Sequence, residues 1–418
     1  MSDSAIPAVP GLKSLARRAG GTAVPRTPSE RPGRVVGVDV ARGIALIGMM
    51  AVHVFATFDR RGAPTLATVL AGGRSATTFV LVAGVSLALL SGGRRVVEGR
   101  ARTAAAAGIA VRALLIGAIG LWLGSAAPEA EVILPYYAVL FVLAIPLLGL
   151  PPRTLTVVTT ALVAVAPLVV LVTFNAWHSS ARAASNPTFD TLVDDPAGLT
   201  VGLLVTGTYP ALAYLAYLCA GLALGRLDLT SRRLAAWLFG GGLCLAITAQ
   251  IVSDVLLFRL GGIRHLLDAD LSSSDPVTAH NVLLWEPAPT SSWWYLALPA
   301  PHSTTPVDMA RTLGSAMAVL GAALLLSRVP AVARLLRPLA AAGAMTLTLY
   351  CAHLLVLATG VFSDAPVMLY ILMVVGALTF GLAWQRWLGQ GPLERLVAAA
   401  AGRARRTVAA RTGAGRPR

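Results

Sequence analysis

Ten apolar runs, each long enough to cross a bilayer, follow one another through this 418-residue chain. They cover roughly 36–57, 75–91, 104–124, 131–149, 154–174, 198–224, 234–258, 307–327, 338–358 and 366–388. In hydrocarbon no water satisfies backbone N–H and C=O groups, so crossing segments are helices or the strands of a closed barrel. A barrel strand needs only about ten residues, whereas these runs are near twenty. The expected fold is all-α: a polytopic integral membrane helical bundle of about 10 transmembrane helices. Composition agrees, with 13% charged and 56% apolar residues, against roughly 25% charged in a soluble domain. The net charge of +15 would suggest nucleic acid in a soluble protein. Here the arginines gather in alternate connections, as membrane topology requires, so no nucleic-acid partner is expected.

Connections after even-numbered runs are basic, with Arg94, Arg95, Arg100 and Arg102, then Arg153, then Arg226, Arg232 and Arg233, then Arg328, Arg334 and Arg337. Those after odd-numbered runs carry Glu129 and Glu131, then Asp190, Asp194 and Asp195, then Asp268, Asp270 and Asp275, then Asp364. The positive-inside rule places both termini in the cytoplasm of a multi-pass protein in the cell inner (plasma) membrane, with the lipid bilayer as its first partner. The large outer loops are then 175–197 and 259–306. The first outer loop departs from the rule with Arg60, Arg61 and Arg74, which hint at an anion-binding mouth or an acidic partner nearby; Arg74 is a candidate substrate contact. Residues 1–33, rich in Pro, Ser, Gly and Arg, read as a disordered basic cytoplasmic tail. Residues 34–395 form the transmembrane domain, and 396–418 a second basic cytoplasmic tail. Cys219, Cys244 and Cys351 lie in apolar runs without metal-ligand spacing, so no metal site is expected.

Ionisable groups at membrane depth are costly, face the bundle interior, and point to function. Arg42 and His53 are eleven positions apart on one face of the first helix, separated by ~16 Å along its axis. Asp39 lies one turn before Arg42. The plainer alternative is that Asp39 and Arg42 cap the helix at one surface while His53 anchors the other. Arg112 interrupts the third run. It is deep if that helix begins at Ala104, and snorkels to the headgroups if it begins near Gly108. Thr346, Tyr350 and His353 form one polar stripe on the ninth run, where His353 is either a packed hydrogen-bonding group or part of the chemistry. Asp254, beside Gln250 and Ser253, either orients a histidine or faces outer water. In the sixth run Gly207, Pro210, Tyr214, Tyr217 and Gly221 share a small-and-aromatic face, kinked at Pro210. Trp285, Trp293 and Trp294 near Pro301-His302-Ser303 are interfacial anchors or a carbohydrate-stacking rim.

The stretch Arg34-Val-Val-Gly-Val-Asp-Val-Ala-Arg-Gly-Ile-Ala-Leu-Ile-Gly-Met-Met-Ala-Val-His53 closely resembles the first span of the bacterial YeiB-like membrane proteins (domain of unknown function 418). These are related to lysosomal heparan-alpha-glucosaminide N-acetyltransferase. Further matches are Gly73-Arg-Ser-Ala-Thr-Thr-Phe-Val-Leu-Val-Ala-Gly-Val-Ser86, Thr206-Gly-Thr-Tyr-Pro210, Gly225-Arg-Leu-Asp228, Pro301-His-Ser303 and Trp387-Leu-Gly-Gln-Gly-Pro-Leu-Glu394. The spacing from Arg42 to His53 is also similar to that of the acyltransferase-3 family. In the related lysosomal enzyme the histidine at the outer end of the first span is implicated in transfer from acetyl-CoA, and the corresponding residue here is His53. The resemblance does not carry heparan over as acceptor.

The expectation is a membrane acyltransferase taking an acyl group, acetyl first, from cytoplasmic acetyl-CoA or another acyl-CoA as co-substrate. The acceptor would be a hydroxyl or amine of an extracytoplasmic glycan or lipid-linked sugar. Arg42, Arg94, Arg95 and Arg112 are the candidate phosphate contacts, since guanidinium groups suit phosphates. His53, Asp254 and His353 are the candidate catalytic groups, with His53 either general base or acyl carrier. Arg74, Tyr214, Trp293 and His302 are the candidate acceptor contacts. A homodimer is a candidate assembly. The rival reading is a transporter or lipid flippase whose permeation path the same polar stripes would line.

Overall fold

Every one of the ten apolar runs contains helix in the computed structural model, which describes residues 35–176, 186–269, 276–286 and 292–413. The tail 1–33 and parts of both loops expected on the outer side, 175–197 and 259–306, lie outside the described residues. The first helices are α1 (Val36–Val54), α2 (Leu66–Ala71), α3 (Arg74–Leu90), α4 (Gly99–Ala126), α5 (Leu134–Ala144) and α6 (Pro152–Ala176). Then come α7 (Phe189–Asp194), α8 (Pro196–Val201), α9 (Ala211–Gly225), α10 (Arg232–Asp254), α11 (Gly262–Ala269) and α12 (Pro276–Trp285). The chain closes with α13 (Pro306–Leu326), α14 (Pro330–Leu335), α15 (Arg337–Gly343), α16 (Thr346–Ala358), α17 (Pro366–Trp387) and α18 (Pro392–Gly413). Among the described residues there is no strand, only an isolated bridge between Phe58 and Pro64.

Seven helices among the described residues are long and apolar enough to cross a membrane, or nine if each of two bent pairs is one span. The remaining run, the fourth (131–149), gives only α5, eleven residues, about 16 Å of helix and too short for the hydrocarbon core. Burial sorts the helices. The apolar windows of α1, α2–α3 and α13 are 61%, 67% and 56% buried, against 22% for α10 and α17. The former make a hub, and the latter present apolar side chains outward, where lipid matches them.

Small residues set the helix contacts, as they do where no hydrophobic drive separates helix from lipid. A Cβ on Gly84 would meet the Leu218 carbonyl, and one on Gly221 the Leu81 carbonyl, so α3 and α9 touch backbone to backbone. Gly242 and Gly314 bring α10 and α13 together in the same way.

The two bends have different origins. Between α8 and α9 the axis turns by 51°, through a π-turn over Gly202–Thr206 and the Gly207–Pro210 break. Pro210 cannot donate back into the preceding turn, so the helix restarts at Ala211. Between α15 and α16 the turn is 84°, with no proline. Gly343 lies against the Asp39 backbone, leaving no room for a side chain. The freed amides of the α16 N-terminus are met by Glu394 of α18, whose carboxylate accepts from Leu347 N at 2.7 Å and Thr348 N at 3.1 Å. The Thr348 hydroxyl adds a bond to it at 2.6 Å. The segment expected as a basic tail, 396–418, continues α18 as far as Gly413, and that helix packs along α4.

Candidate active site

His53, in the last turn of α1, lies beside His353 on α16, three hundred positions on. His53 Nδ1 and His353 Nε2 are 3.0 Å apart, and the rings are within 10° of parallel with centroids 5.3 Å apart. His353 Nδ1 is 3.3 Å from the Leu349 carbonyl. Tyr350 packs edge-on against both rings. Its hydroxyl accepts from Ile133 N at 3.1 Å and donates to the Glu131 carbonyl at 3.2 Å, tying α16 to the start of α5. The stripe of Thr346, Tyr350 and His353 is buried as one face.

His53 opens onto a cavity of about 640 Å³. Its walls include His302, Tyr136, Tyr209, Asn186 and Trp285, and three carboxylates, Glu131, Asp195 and Glu286. Among the described residues no lysine or arginine lines it. Thr208 donates to Glu131 at 2.9 Å, and Asp195 caps α8 by accepting from Gly198 N at 2.8 Å. His302 sits on a tight turn with positive φ at His302 and Thr304. Its Nδ1 is 3.0 Å from the Tyr214 hydroxyl, and its ring stands edge-on to Tyr209 at 5.1 Å. Burial lowers the His302 imidazole from its ordinary value to about 4, since a charged ring there loses its water. Tyr136, Tyr209, Tyr214 and Tyr217 continue inward as an edge-to-face ladder.

The other expected site residues lie elsewhere. Asp254 is exposed at the end of α10, accepting from Gln250 at 3.0 Å, and the ring and hydrogen-bond contacts of the histidine pair do not include it. Trp293 is exposed away from the cavity, which Trp285 lines instead. Arg74 donates to the Val69 carbonyl within electrostatic reach of Arg311 and Asp308. Those two form a buried ion pair at 3.6 Å. Tyr214 stands behind His302 and does not line the cavity.

Arg42 is held from three sides: Asp39 at 3.0 Å, Ser86 Oγ at 2.5 Å and the Gly343 carbonyl at 3.4 Å. It therefore joins α1 to α3 and α15. Arg112 is half-buried on α4, within electrostatic reach of Arg42 and Glu394. The helix begins at Gly99, earlier than either sequence reading of Arg112 required. The nearby Tyr137 hydroxyl is buried without a hydrogen-bond partner. Arg94 pairs with Asp228 at 3.8 Å, and Arg95 is exposed beside it in the chain. Among the described residues no group of three or more His, Cys, Asp or Glu is placed to hold a metal ion. Of the cavity acids, Glu131 and Asp195 entered the sequence reading only as topology markers and Glu286 did not enter it, because their place on the same cavity as His53 is set by tertiary packing.

A helical membrane bundle enclosing a histidine-walled cavity is a class shared by transporters and membrane transferases. Here the comparisons are more specific. Residues 34–241 match the family model described as heparan-alpha-glucosaminide N-acetyltransferase, catalytic. Residues 281–403 match that of a protein family of unknown function, DUF418. The chain belongs to the YeiB-like membrane protein family related to that acetyltransferase. His53 falls in the first matched segment, and His302, Tyr350 and His353 in the second. No curated protein and no solved structure matches the chain.

Proposed function

We propose that this protein is a transmembrane acyltransferase of the inner membrane, moving an acetyl or other acyl group from cytoplasmic acyl-CoA to an extracytoplasmic acceptor. The observation that carries the reading is His53, seated at a cavity wall within the segment matching an acetyltransferase catalytic model. The proposal includes the topology from charge alternation, with ten crossings and both termini cytoplasmic.

The donor phosphates would meet Arg112, which makes no direct hydrogen bond among the described residues, and the inner-connection arginines Arg94 and Arg95. Tyr137, with its unpartnered hydroxyl, supplies a further donor near that level. Arg42 would act on the donor mainly by holding this region together, since Asp39, Ser86 and Gly343 already engage it. The acceptor would enter the outer cavity. Three carboxylates, with no lysine or arginine among the described lining residues, suit an amine or a neutral hydroxyl, as on an amino sugar or lipid-linked sugar, better than a polyanionic chain.

In the transfer, the acceptor nitrogen or oxygen attacks the thioester carbonyl carbon while His53 takes its proton. The new C–N or C–O bond forms, the C–S bond breaks, and the proton passes from His53 to the departing sulfur, giving the free thiol. The test is purified protein in lipid nanodiscs with acetyl-labelled acetyl-CoA and a panel of amino and neutral sugars. Label on an amino sugar with matching free thiol is the expected result. Intact donor under every condition would overturn the reading. The transporter alternative draws on the two bent helix pairs, a feature of transporters. It forecasts acceptor movement across proteoliposomes with no thiol released.

A further inference from the structure

A carbonyl oxygen accepts hydrogen bonds and never donates. His353 Nδ1, at 3.3 Å from the Leu349 carbonyl, must therefore carry a proton. A second proton would make an imidazolium, 3% exposed, packed on another imidazole with no carboxylate among its contacts. The neutral His353 ring thus presents a bare Nε2. That atom is 3.0 Å from His53 Nδ1, which must then be the donor. With its Nδ1 proton committed, a neutral His53 carries its free lone pair on Nε2, on a ring that lines the cavity.

We propose that His353 is a positioning residue: the chain Leu349 O, His353, His53 fixes the tautomer and ring angle of His53 so that Nε2 is the base facing the acceptor. The inference rests on the acyl-transfer reading for its catalytic consequence, though not for the tautomer itself. The chain also works in the charged state. When His53 Nε2 takes the acceptor proton, the Nδ1–H bond to His353 strengthens, because its donor is now cationic. No proton moves through His353, whose Nδ1 keeps its proton and donates it in a hydrogen bond to the Leu349 carbonyl. Its part is to accept one bond and hold one angle. Tyr350, edge-on to both rings and anchored at Ile133 and Glu131, keeps the pair from rotating.

Two substitutions separate this role from a packing role. His353→Leu fills the space but offers no acceptor, whereas His353→Gln presents Oε1 to His53 Nδ1–H. The leucine variant should lose at least tenfold in kcat with the donor KM within twofold of wild type. The rising limb of its pH profile should move to more acidic pH, because His53 becomes a weaker base. The glutamine variant should recover most of both. Equal damage in both variants with an unmoved pH limb would make His353 structural and overturn the proposal, as would full kcat in the leucine variant.

A readout independent of turnover is the 15N-histidine spectrum of the whole protein in nanodiscs, its six histidines assigned by substitution. Wild-type His53 should be the Nδ1–H tautomer, becoming a mixture in His353→Leu. An Nε2–H tautomer in wild type overturns the inference whatever the assay shows. A correct tautomer in a protein that transfers no acyl group would instead count against acyl transfer alone.

Discussion

A single imidazole in the last turn of α1 carries most of the expected chemistry, and its substitution is the sharpest test at this scale. General-base work at one histidine contributes about 100-fold or more. His53→Gln keeps hydrogen bonding but cannot take a proton at neutral pH. It should lose at least that factor in transfer rate while acetyl-CoA affinity, measured by calorimetry, stays put. Wild-type turnover in a well-folded variant would remove His53 from the mechanism. His302 gives a pH test. Its value falls from 6.5 unfolded to about 4 folded, so the unfolded chain binds the extra proton first as pH drops. Its contribution is complete above pH 6.5 and is lost as pH falls toward 4, roughly 3 kcal/mol in all. His302→Gln should therefore show a smaller loss of melting temperature between pH 7.5 and pH 4.5 than wild type. Parallel curves would show that His302 does not titrate in that window.

The elements are held by a few polar clamps whose removal has predictable cost. Arg226, 4% exposed, donates to the carbonyls of Ala88, Ser91, Gly93 and Leu148 and to Ser91 Oγ. It thereby gathers the ends of α3 and α9 with the turn after α5. A lysine cannot span those acceptors, and each one left bare costs about 1–3 kcal/mol. Arg226→Lys should lower the melting temperature measurably in nanodiscs; an unchanged transition would mean water takes over the contacts. Glu394→Ala should cost about 1–2 kcal/mol as a lost cap, and should lower kcat as well, since α16 carries His353. Normal kcat in the destabilised variant would uncouple the two.

These clamps also mark where sequence reasoning stopped. The Arg42–His53 face follows from 3.6-residue periodicity within one helix, and the bend at Pro210 from a missing N–H. The α15–α16 bend has no local signal. It exists because α1 backbone crosses at Gly343 and a carboxylate 47 residues downstream of Leu347 satisfies the freed amides. The pairing of His53 with His353 is likewise tertiary, so the stripe on α16 was visible while its partner was not. Asp254, drawn to attention by its charge near a span end, turned out to be bonded to its own helix.

For the whole molecule, the open quantity is which way the bundle faces. In a Cys244→Ser background, cysteine at exposed Asp194 should react with an impermeant thiol reagent in intact cells, and cysteine at exposed Arg233 only after permeabilisation. The reverse pattern would invert the bundle and place the cavity on the cytoplasmic side. The Glu394 cap has a consequence in time as well as in space. A chain made from its N-terminus has His53 inserted early, and His353 follows much later. The bent start of α16 still lacks its cap until residue 394 has been added. The histidine pair thus gains its capped helix only after synthesis has passed Glu394, so a ribosome stalled between residues 353 and 394 leaves both histidines made but the start of α16 uncapped.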